Sequence, residues 1–298
     1  MRNTKDMKKT IVLVDGNNLL YRCYFKFGGM VNKQGLPSSM VFGYPYVLKS
    51  LINKFNPKKV INVFDGGKSP ERVKLLPDYK KREPKLGFDI DDFRVQKQVI
   101  MGLLPALNTS VIWQRHHEAD DLIYMLARKY QRKYKIIIIS SDKDFNQLVN
   151  ENVICHNPHK GIEITPKNMG HRFGYEPHEC VDWLILEGDK SDNIPGYKGM
   201  GEKRIRDFLN MHSSIAIYLK SNMQYKKLDN ALLADIYKRN RCLIDLAYYF
   251  RKFNRGMKIP FVGKPRFAKH YIWEIADQYD INTFKKKDFL EPFKNLES

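Results

Sequence analysis

The sequence predicts an α/β fold: a mostly parallel β-sheet covered by helices, followed by a helical C-terminal part. Three observations predict it. Short apolar runs rich in β-branched residues alternate with helix-period segments through the first half of the chain. Acidic residues follow those runs directly. From about Pro177 the strand-like runs fade and helical patterns dominate.

Thr10–Val14 (TIVLV) and Val60–Phe64 (VINVF) read as strands, as do Ser110–Trp113 and Lys135–Ser140. Being apolar throughout, they suit a parallel sheet buried on both faces. Between them, Ser38–Phe55 and Phe93–Leu107 read as helices. The clearest helix spans Glu118–Tyr134, where Ala119, Leu122, Ile123, Leu126, Ala127 and Tyr130 recur at the spacing of one buried face. Residues 66–92 carry Gly66, Gly67, Pro70, Pro77 and Pro84 among many charges, and read as an exposed, partly helical insertion over the strand ends. The change of pattern places a boundary within residues 166–180, giving an α/β part over 1–175 and a helical part over 176–298. There is no internal repeat and no long low-complexity segment.

The chain has 298 residues, enough for one large or two smaller cores, with 43% hydrophobic content and a formal net charge of +19. Such an excess of positive charge favours a polyanionic partner, nucleic acid before an anionic membrane surface. No apolar run approaches the length of a membrane span, and MRNTKDMKK is not followed by a cleavable signal pattern. Cys23, Cys155, Cys180 and Cys242 are far apart and form no C-x-x-C pair. That argues against a zinc ribbon or disulfide framework and fits a reducing cytoplasm.

The acids carry the chemistry. Asp15 follows the first strand in VDGNN, and Asp65 follows the second in FDGG. Glu118, Asp120 and Asp121 follow the third strand and open a helix; Asp142 and Asp144 follow the fourth in SSDKDFNQL. A parallel sheet brings all these strand ends to one edge, where open α/β folds bind ligands. One such acid reads equally well as a helix cap, and three at a helix start complement its dipole. Capping does not explain why four strands do the same thing. Two unit charges about 4 Å apart repel by roughly 4 kcal/mol at an effective dielectric near 20, and several such pairs rival a domain's stability of about 5–15 kcal/mol. A cation is therefore expected. Oxygen ligands without His or Cys suit Mg²⁺ or Mn²⁺ rather than zinc. Two such ions about 4 Å apart can activate a water and stabilise the leaving oxygen at a phosphorus centre.

Taken together, VDGNN, FDGGKS, LPDYKKR, EADD, SSDKDFNQL and GDKSDNIPGYKGMGEKR resemble the 5′ nucleases of the flap endonuclease superfamily, among them bacteriophage 5′-3′ exonucleases and the 5′ nuclease domain of bacterial DNA polymerase I. The resemblance covers about Thr10 to Asn210. It implies a PIN-like α/β core, a helical arch at about 66–92 and a helix–three-turn–helix at about 189–210. Asp15, Asp65, Glu118, Asp120 and Asp121 would serve a first metal site. Asp142, Asp144, Asp189 and Asp192 would serve a second, the last two coming only from the resemblance. The cofactors implied are two Mg²⁺ or Mn²⁺ ions, with K⁺ at the loop. In that loop Gly199 and Gly201 permit tight turns near a phosphate. The helix starting about Glu202 presents free N–H groups to the anion, and Lys203, Arg204 and Arg206 add charge. Lys80 and Arg82 would neutralise the scissile phosphate. Arg72 and Lys81 would add DNA contacts from the arch. Tyr21 stacks on a base near the cut or packs as plain core.

The implied activity is a structure-specific 5′ nuclease acting as 5′-3′ exonuclease and flap endonuclease, in replication or primer removal. It would leave 5′-phosphate and 3′-hydroxyl ends. Expected partners are DNA with 5′ flaps, overhangs or ends, and RNA-primed DNA. No membrane is involved, and the protein is expected to be a monomer in the cytoplasm of a bacterial or phage-infected cell. The chain departs from the family pattern at His116 and His117, read as a surface pair, and at Arg204 and Ile205, where small residues are usual. Two rivals remain open. A PIN-like ribonuclease shares a carboxylate-ringed core but usually lacks a Gly-rich duplex-binding loop. A non-catalytic junction-binding module needs no turnover.

Overall fold

The computed structural model describes residues 8–81, 86–221 and 223–297. The chain opens with β1 (Thr10–Asp15) and turns at once into α1 (Gly16–Lys26), whose first turn is capped by the Asp15 carboxylate accepting from the Asn18 N–H. There follow α2 (Ser39–Phe55), β2 (Lys59–Phe64), the short α3 (Pro70–Leu75) and α4 (Ile90–Ala106). Next come β3 (Ser110–Trp113), α5 (Ala119–Tyr130), β4 (Lys135–Ile139) and a 3₁₀ turn over Lys143–Leu148. β5 (Val153–Asn157), β6 (Ile162–Ile164) and α6 (Pro166–Phe173) complete the first half. The second half holds α7 (Cys180–Glu187), a small hairpin of β7 (Gly188–Asp189) and β8 (Ile194–Pro195), α8 (Glu202–His212), α9 (Ile215–Lys220) and α10 (Asn230–Ile244). α11 (Leu246–Tyr249) then runs into a π-helical turn over Phe250–Asn254. β9 (Phe261–Gly263), α12 (Lys269–Gln278) and α13 (Lys287–Lys294) end the described chain.

The main sheet has seven strands in the order β6–β5–β4–β1–β2–β3–β9. β1 to β5 pair in parallel, and the antiparallel β6 and β9 close the two edges. The predicted mostly parallel sheet is therefore present. Each apolar run feeds two cores because successive side chains point to opposite faces. Ile11, Leu13, Ile61, Val63, Ile136 and Ile138 join one cluster, with α5 and much of α7 to α11. Val12, Val14, Val60, Phe64, Ile137 and Ile139 join the other, with α1, α2, α4, α12 and α13. Both clusters draw on residues from either side of position 175. The packing runs across the expected boundary.

The insertion corrects an expectation. Residues 66–92 are not uniformly exposed: Ser69, Arg72 and Tyr79 are buried against the strand ends. α3 is fixed there by Ser69, whose hydroxyl accepts from the Arg72 N–H. The register aligns the functional edge. Asp15 pairs with Val63 and Val14 with Ile139, so the chain leaves β1, β2 and β4 at nearly one level.

Candidate metal and nucleic-acid site

Each strand-end acid has a local job that also aims it. Asp15 caps α1 with one oxygen, and its other oxygen accepts from the Ser140 hydroxyl at 2.8 Å. Asp65 accepts from the Ala119 N–H at 2.8 Å, tying the end of β2 to the start of α5. Asp142 caps the following 3₁₀ turn by accepting from the Asp144 N–H at 2.9 Å. Asp189 does the same in the β7–β8 hairpin, accepting from the Ser191 N–H and hydroxyl, both at 2.7 Å. The capping and catalytic readings of these acids are thus compatible.

These groups stand close enough to disturb one another. Burial, and then Asp120 and Asp65, push Asp15 well above the usual carboxylate range. Burial and Asp120 raise Asp65 and bring Asp142 up to about 6. Asp144 is raised well above its ordinary value by burial and by Asp142, Asp120, Asp189 and Asp192. Asp120 recurs in every case and marks the centre of the cluster. The structure therefore brings together the strand-end acids and the two acids of GDKSDN.

Lys80 is the cation that sits among them. Its ammonium lies 2.6 Å from Glu118, 3.4 Å from Asp120 and 3.7 Å from Asp192. Burial opposes its charge, but these carboxylates hold it well above the ordinary lysine value. Glu118, buried yet facing Arg72 and Lys80, falls to about 2. Lys80 holds a left-handed backbone, φ 50°, with its N–H donated to the Asp192 carbonyl at 3.0 Å. A lysine rarely adopts that conformation, and such strain tends to persist at working sites. Among the described residues no three acidic, His or Cys side chains are arranged to hold a metal as they stand. The lysine lies between acids from α5 and from the hairpin.

Arg72 and Asp121 have other roles than the resemblance implied. Arg72 is buried, and its guanidinium donates two hydrogen bonds of 2.8 Å to Asp121. It cannot reach DNA from there. Asp121 is equally buried, with both oxygens engaged by Arg72, so it is a counter-ion to the arginine and not a free ligand. The sequence places both at motif positions but does not show that α3 turns its arginine inward.

The glycine-rich segment forms the expected turns between α7 and α8. Gly188 has φ 76°, and a Cβ there would lie 2.3 Å from the Gly196 nitrogen, so only glycine closes this hairpin. Asn193 locks the hairpin to the insertion, its amide donating to the carbonyls of Asp78 and Lys81 at 2.9 and 2.7 Å. Of the basic residues, Lys203 is exposed on the first turn of α8. Arg204 turns back to donate to the Gly199 carbonyl at 2.8 Å. Arg206 is half-buried, paired with Glu179 at 3.1 Å and stacked over Trp183. Arg206 thus packs the helix pair and is withdrawn as a DNA contact. Gly201 begins α8 with room above it. Lys81 is exposed beside Asp78. Arg82 lies outside the described residues. Tyr21 is 42% exposed and stacks on Phe93 at 4.7 Å, so it is not plain core. His116 is exposed and shapes a turn by donating its N–H to the Gly66 carbonyl.

The family model for the 5′-3′ exonuclease N-terminal resolvase-like domain matches residues 10–174. A 5′-3′ exonuclease of Aquifex aeolicus is 36% identical over 220 residues, covering 74% of this chain and 75% of the relative. The chain belongs to the 5′-3′ exonuclease family. It is a 5′ nuclease, the reading that the comparisons support among those open from sequence. DNA polymerase I of Bacillus subtilis is 32% identical over 232 residues, covering 76% of this chain but only 26% of the polymerase. The fold is shared with a flap endonuclease of bacteriophage T5 solved with DNA and metal ions, at a TM-score of 0.67, 20% identity and coverage of 96% of this chain and 100% of that one. Among the described residues no helix is long and apolar enough to cross a membrane.

For this family member, several supporting residues are not among those that the sequence singled out. Lys97, on α4, donates to Asn17 at 3.1 Å and reaches the Asp65 carbonyl at 3.4 Å. Asn18 and Ser141 join the ends of β1 and β4, the Asn18 amide donating to the Ser141 hydroxyl at 2.9 Å. Asn18 could have been found, since VDGNN places it three residues after Asp15 at the sheet edge. Lys97 could not, because a lysine on a helix reads as a solvated face.

Proposed function

We propose that this nuclease cuts DNA at or near a 5′ single-strand/duplex junction, as exonuclease and flap endonuclease, using divalent cations. The observation that carries the reading is the convergence of acids from four parallel strand ends and one hairpin near Lys80. The donor set fits a hard cation: it is all carboxylate, partly buried and mutually repelling. Asp15, Asp65, Glu118 and Asp120 would hold one ion, and Asp142, Asp144, Asp189 and Asp192 a second, with Mg²⁺ or Mn²⁺ the suitable metals. When bound, such ions polarise the scissile phosphate and make water acidic enough to attack it. The protein's own groups do the rest. Lys80 carries a positive charge to the place where charge develops on the phosphate. Exposed Tyr21 offers a face for the base next to the cut. Lys203 and the N–H groups at the start of α8 hold the duplex backbone. Potassium fits the loop less well, because the Gly199 carbonyl already accepts from Arg204.

Supporting the reading of the substrate, the net charge of +19 suits a polyanion. DNA with 5′ flaps, overhangs or ends is the substrate proposed, and RNA-primed DNA a tolerated variant. The protein would act as a monomer in the cytoplasm. The experiment is to offer a labelled 5′-flap duplex and a single-stranded RNA in Mg²⁺. Cleavage of the flap near its junction, abolished by EDTA, is expected. Preferential cutting of the RNA would favour the ribonuclease reading, and no cutting of either the non-catalytic one.

Lys203→Ala should weaken duplex binding and lower the slope of log affinity against log salt by about 1, since one phosphate contact is lost. Cleavage should recover at saturating enzyme. An unchanged salt slope would remove Lys203 from the interface.

A further inference from the structure

Tyr249 lies in α11, far from every acidic motif in sequence. We propose that it is a positioning residue for the carboxylate cluster, holding Arg72 and through it the placement of Asp121 and Glu118. The inference rests on the cluster being the cation site.

The contacts run in an unbroken chain. Tyr249 is 2% exposed, and the Arg72 guanidinium lies 3.9 Å above its ring. Below the ring's edge, the Tyr249 hydroxyl shares a short hydrogen bond with the Ser69 hydroxyl and donates to Glu71 at 3.2 Å. Arg72 reaches on to both oxygens of Asp121 and lies 3.3 Å from Glu118. Ser69 makes the parallel link, its N–H donating to Glu118 at 3.1 Å. Among the described residues Arg72 Nε is buried with no hydrogen-bond partner, and the Tyr249 ring lies against the guanidinium. A desolvated guanidinium gains most from such a face, and its planar donors then fix the carboxylate they grip.

The consequence follows from where Asp121 and Glu118 sit. Glu118 caps α5 and Asp121 lies in its first turn, on either side of Asp120. A shift of Arg72 therefore moves the turn that carries the central acid of the cluster. The same stretch of chain braces the other acids. Gln147 donates to the carbonyls of Asp144 and Ile244 at 2.8 and 3.0 Å, and accepts from the Leu246 N–H at 2.9 Å. The junction of α10 and α11 thus touches both carboxylate groups from behind.

The test compares wild type, Tyr249→Leu and Tyr249→Phe. Mn²⁺ binding is followed by the loss of the free-ion EPR signal. DNA affinity is measured in Ca²⁺, and single-turnover cleavage of a saturated 5′-flap duplex in Mg²⁺. Tyr249→Leu removes the ring face and should weaken Mn²⁺ binding and slow cleavage by about tenfold or more, as loss of an outer-shell partner does. DNA affinity should stay within twofold or so of wild type, because Tyr249 is buried. Tyr249→Phe keeps the ring and should restore most of both. A merely structural role would lower the melting temperature while leaving Mn²⁺ affinity and the cleavage rate of the folded protein unchanged, and would overturn the proposal. If Tyr249→Leu does not fold, Arg72→Lys replaces it, keeping the charge but losing the two-point grip on Asp121, and wild-type Mn²⁺ affinity in that variant overturns the proposal equally. Failure of wild type itself to bind Mn²⁺ would instead sink the cation reading on which the proposal stands.

Discussion

Asp144→Asn is expected to lose at least about 100-fold in single-turnover cleavage of a 5′-flap duplex in Mg²⁺, more than an outer-shell change usually costs, with its fold intact. Asp144 is buried, and its burial, followed by the field of Asp142, Asp120, Asp189 and Asp192, raises it well above its ordinary value. As a charged group in the metal-free protein it is therefore destabilising. Asparagine keeps the shape and removes the charge, so the metal-free variant should melt about 2–4 °C higher than wild type, the shift expected from about 1 kcal/mol. Saturating Mg²⁺ should raise the wild-type melting temperature by a larger increment than that of the variant, because a ligand that binds only the folded state stabilises it by mass action. Calorimetric scans with EDTA and with Mg²⁺ check both signs. Equal cleavage by the variant would remove Asp144 from the chemistry. A lower metal-free melting temperature would mean that the carboxylate is structural.

Lys80→Ala is expected to act in two opposite directions. Cleavage at saturating enzyme should slow by about 100-fold, the usual cost of losing one preorganised charge donor at a reacting centre. Mn²⁺ affinity should rise, because the ammonium that stands 2.6 Å from Glu118 and 3.4 Å from Asp120 would no longer compete for those oxygens. A residue that only helped to bind DNA would change the half-saturation and leave the saturated rate alone. A residue that only balanced the acids would tighten Mn²⁺ binding without slowing the saturated reaction. Measuring the single-turnover rate and Mn²⁺ binding on one preparation separates the three cases, and wild-type values for both would leave Lys80 a surface charge.

The parts of the fold written in local pattern were readable from sequence. TIVLV, VINVF, SVIW and KIIII are mostly apolar because the sheet is covered on both faces, and all four are strands. The acids after them converge because the strands are parallel and nearly level. Elements decided by tertiary context were not readable. α1 was missed because GNNLLYRCYFK mixes turn formers with aromatics, and it is Asp15 that caps it. β5 and β6 are short and broken by His156, Asn157 and Glu163. β9 is a three-residue edge strand that pairs only because the chain returns to β3.

The site shows the same division. The strand-end acids could be named from their positions, and Asp189 and Asp192 only from the resemblance, but neither showed which acid a buried arginine would occupy. Nothing in LPDYKKR says that Lys80 points into the acids while Lys81 beside it stays exposed. That difference comes from the left-handed backbone at Lys80 and the Asn193 contacts around it. Tyr249 carries no signal of its own, since a tyrosine in a helical tail reads as core.

The acids around Lys80 are proposed to form a divalent-cation site. The most direct measurement is an anomalous difference map from crystals of the protein soaked in Mn²⁺. Manganese peaks are expected among Asp15, Asp65, Glu118 and Asp120 and among Asp142, Asp144, Asp189 and Asp192, with the Lys80 ammonium moved out from between Glu118 and Asp120. A map with no peak in the cluster, and Lys80 still in place at saturating Mn²⁺, would contradict the proposal.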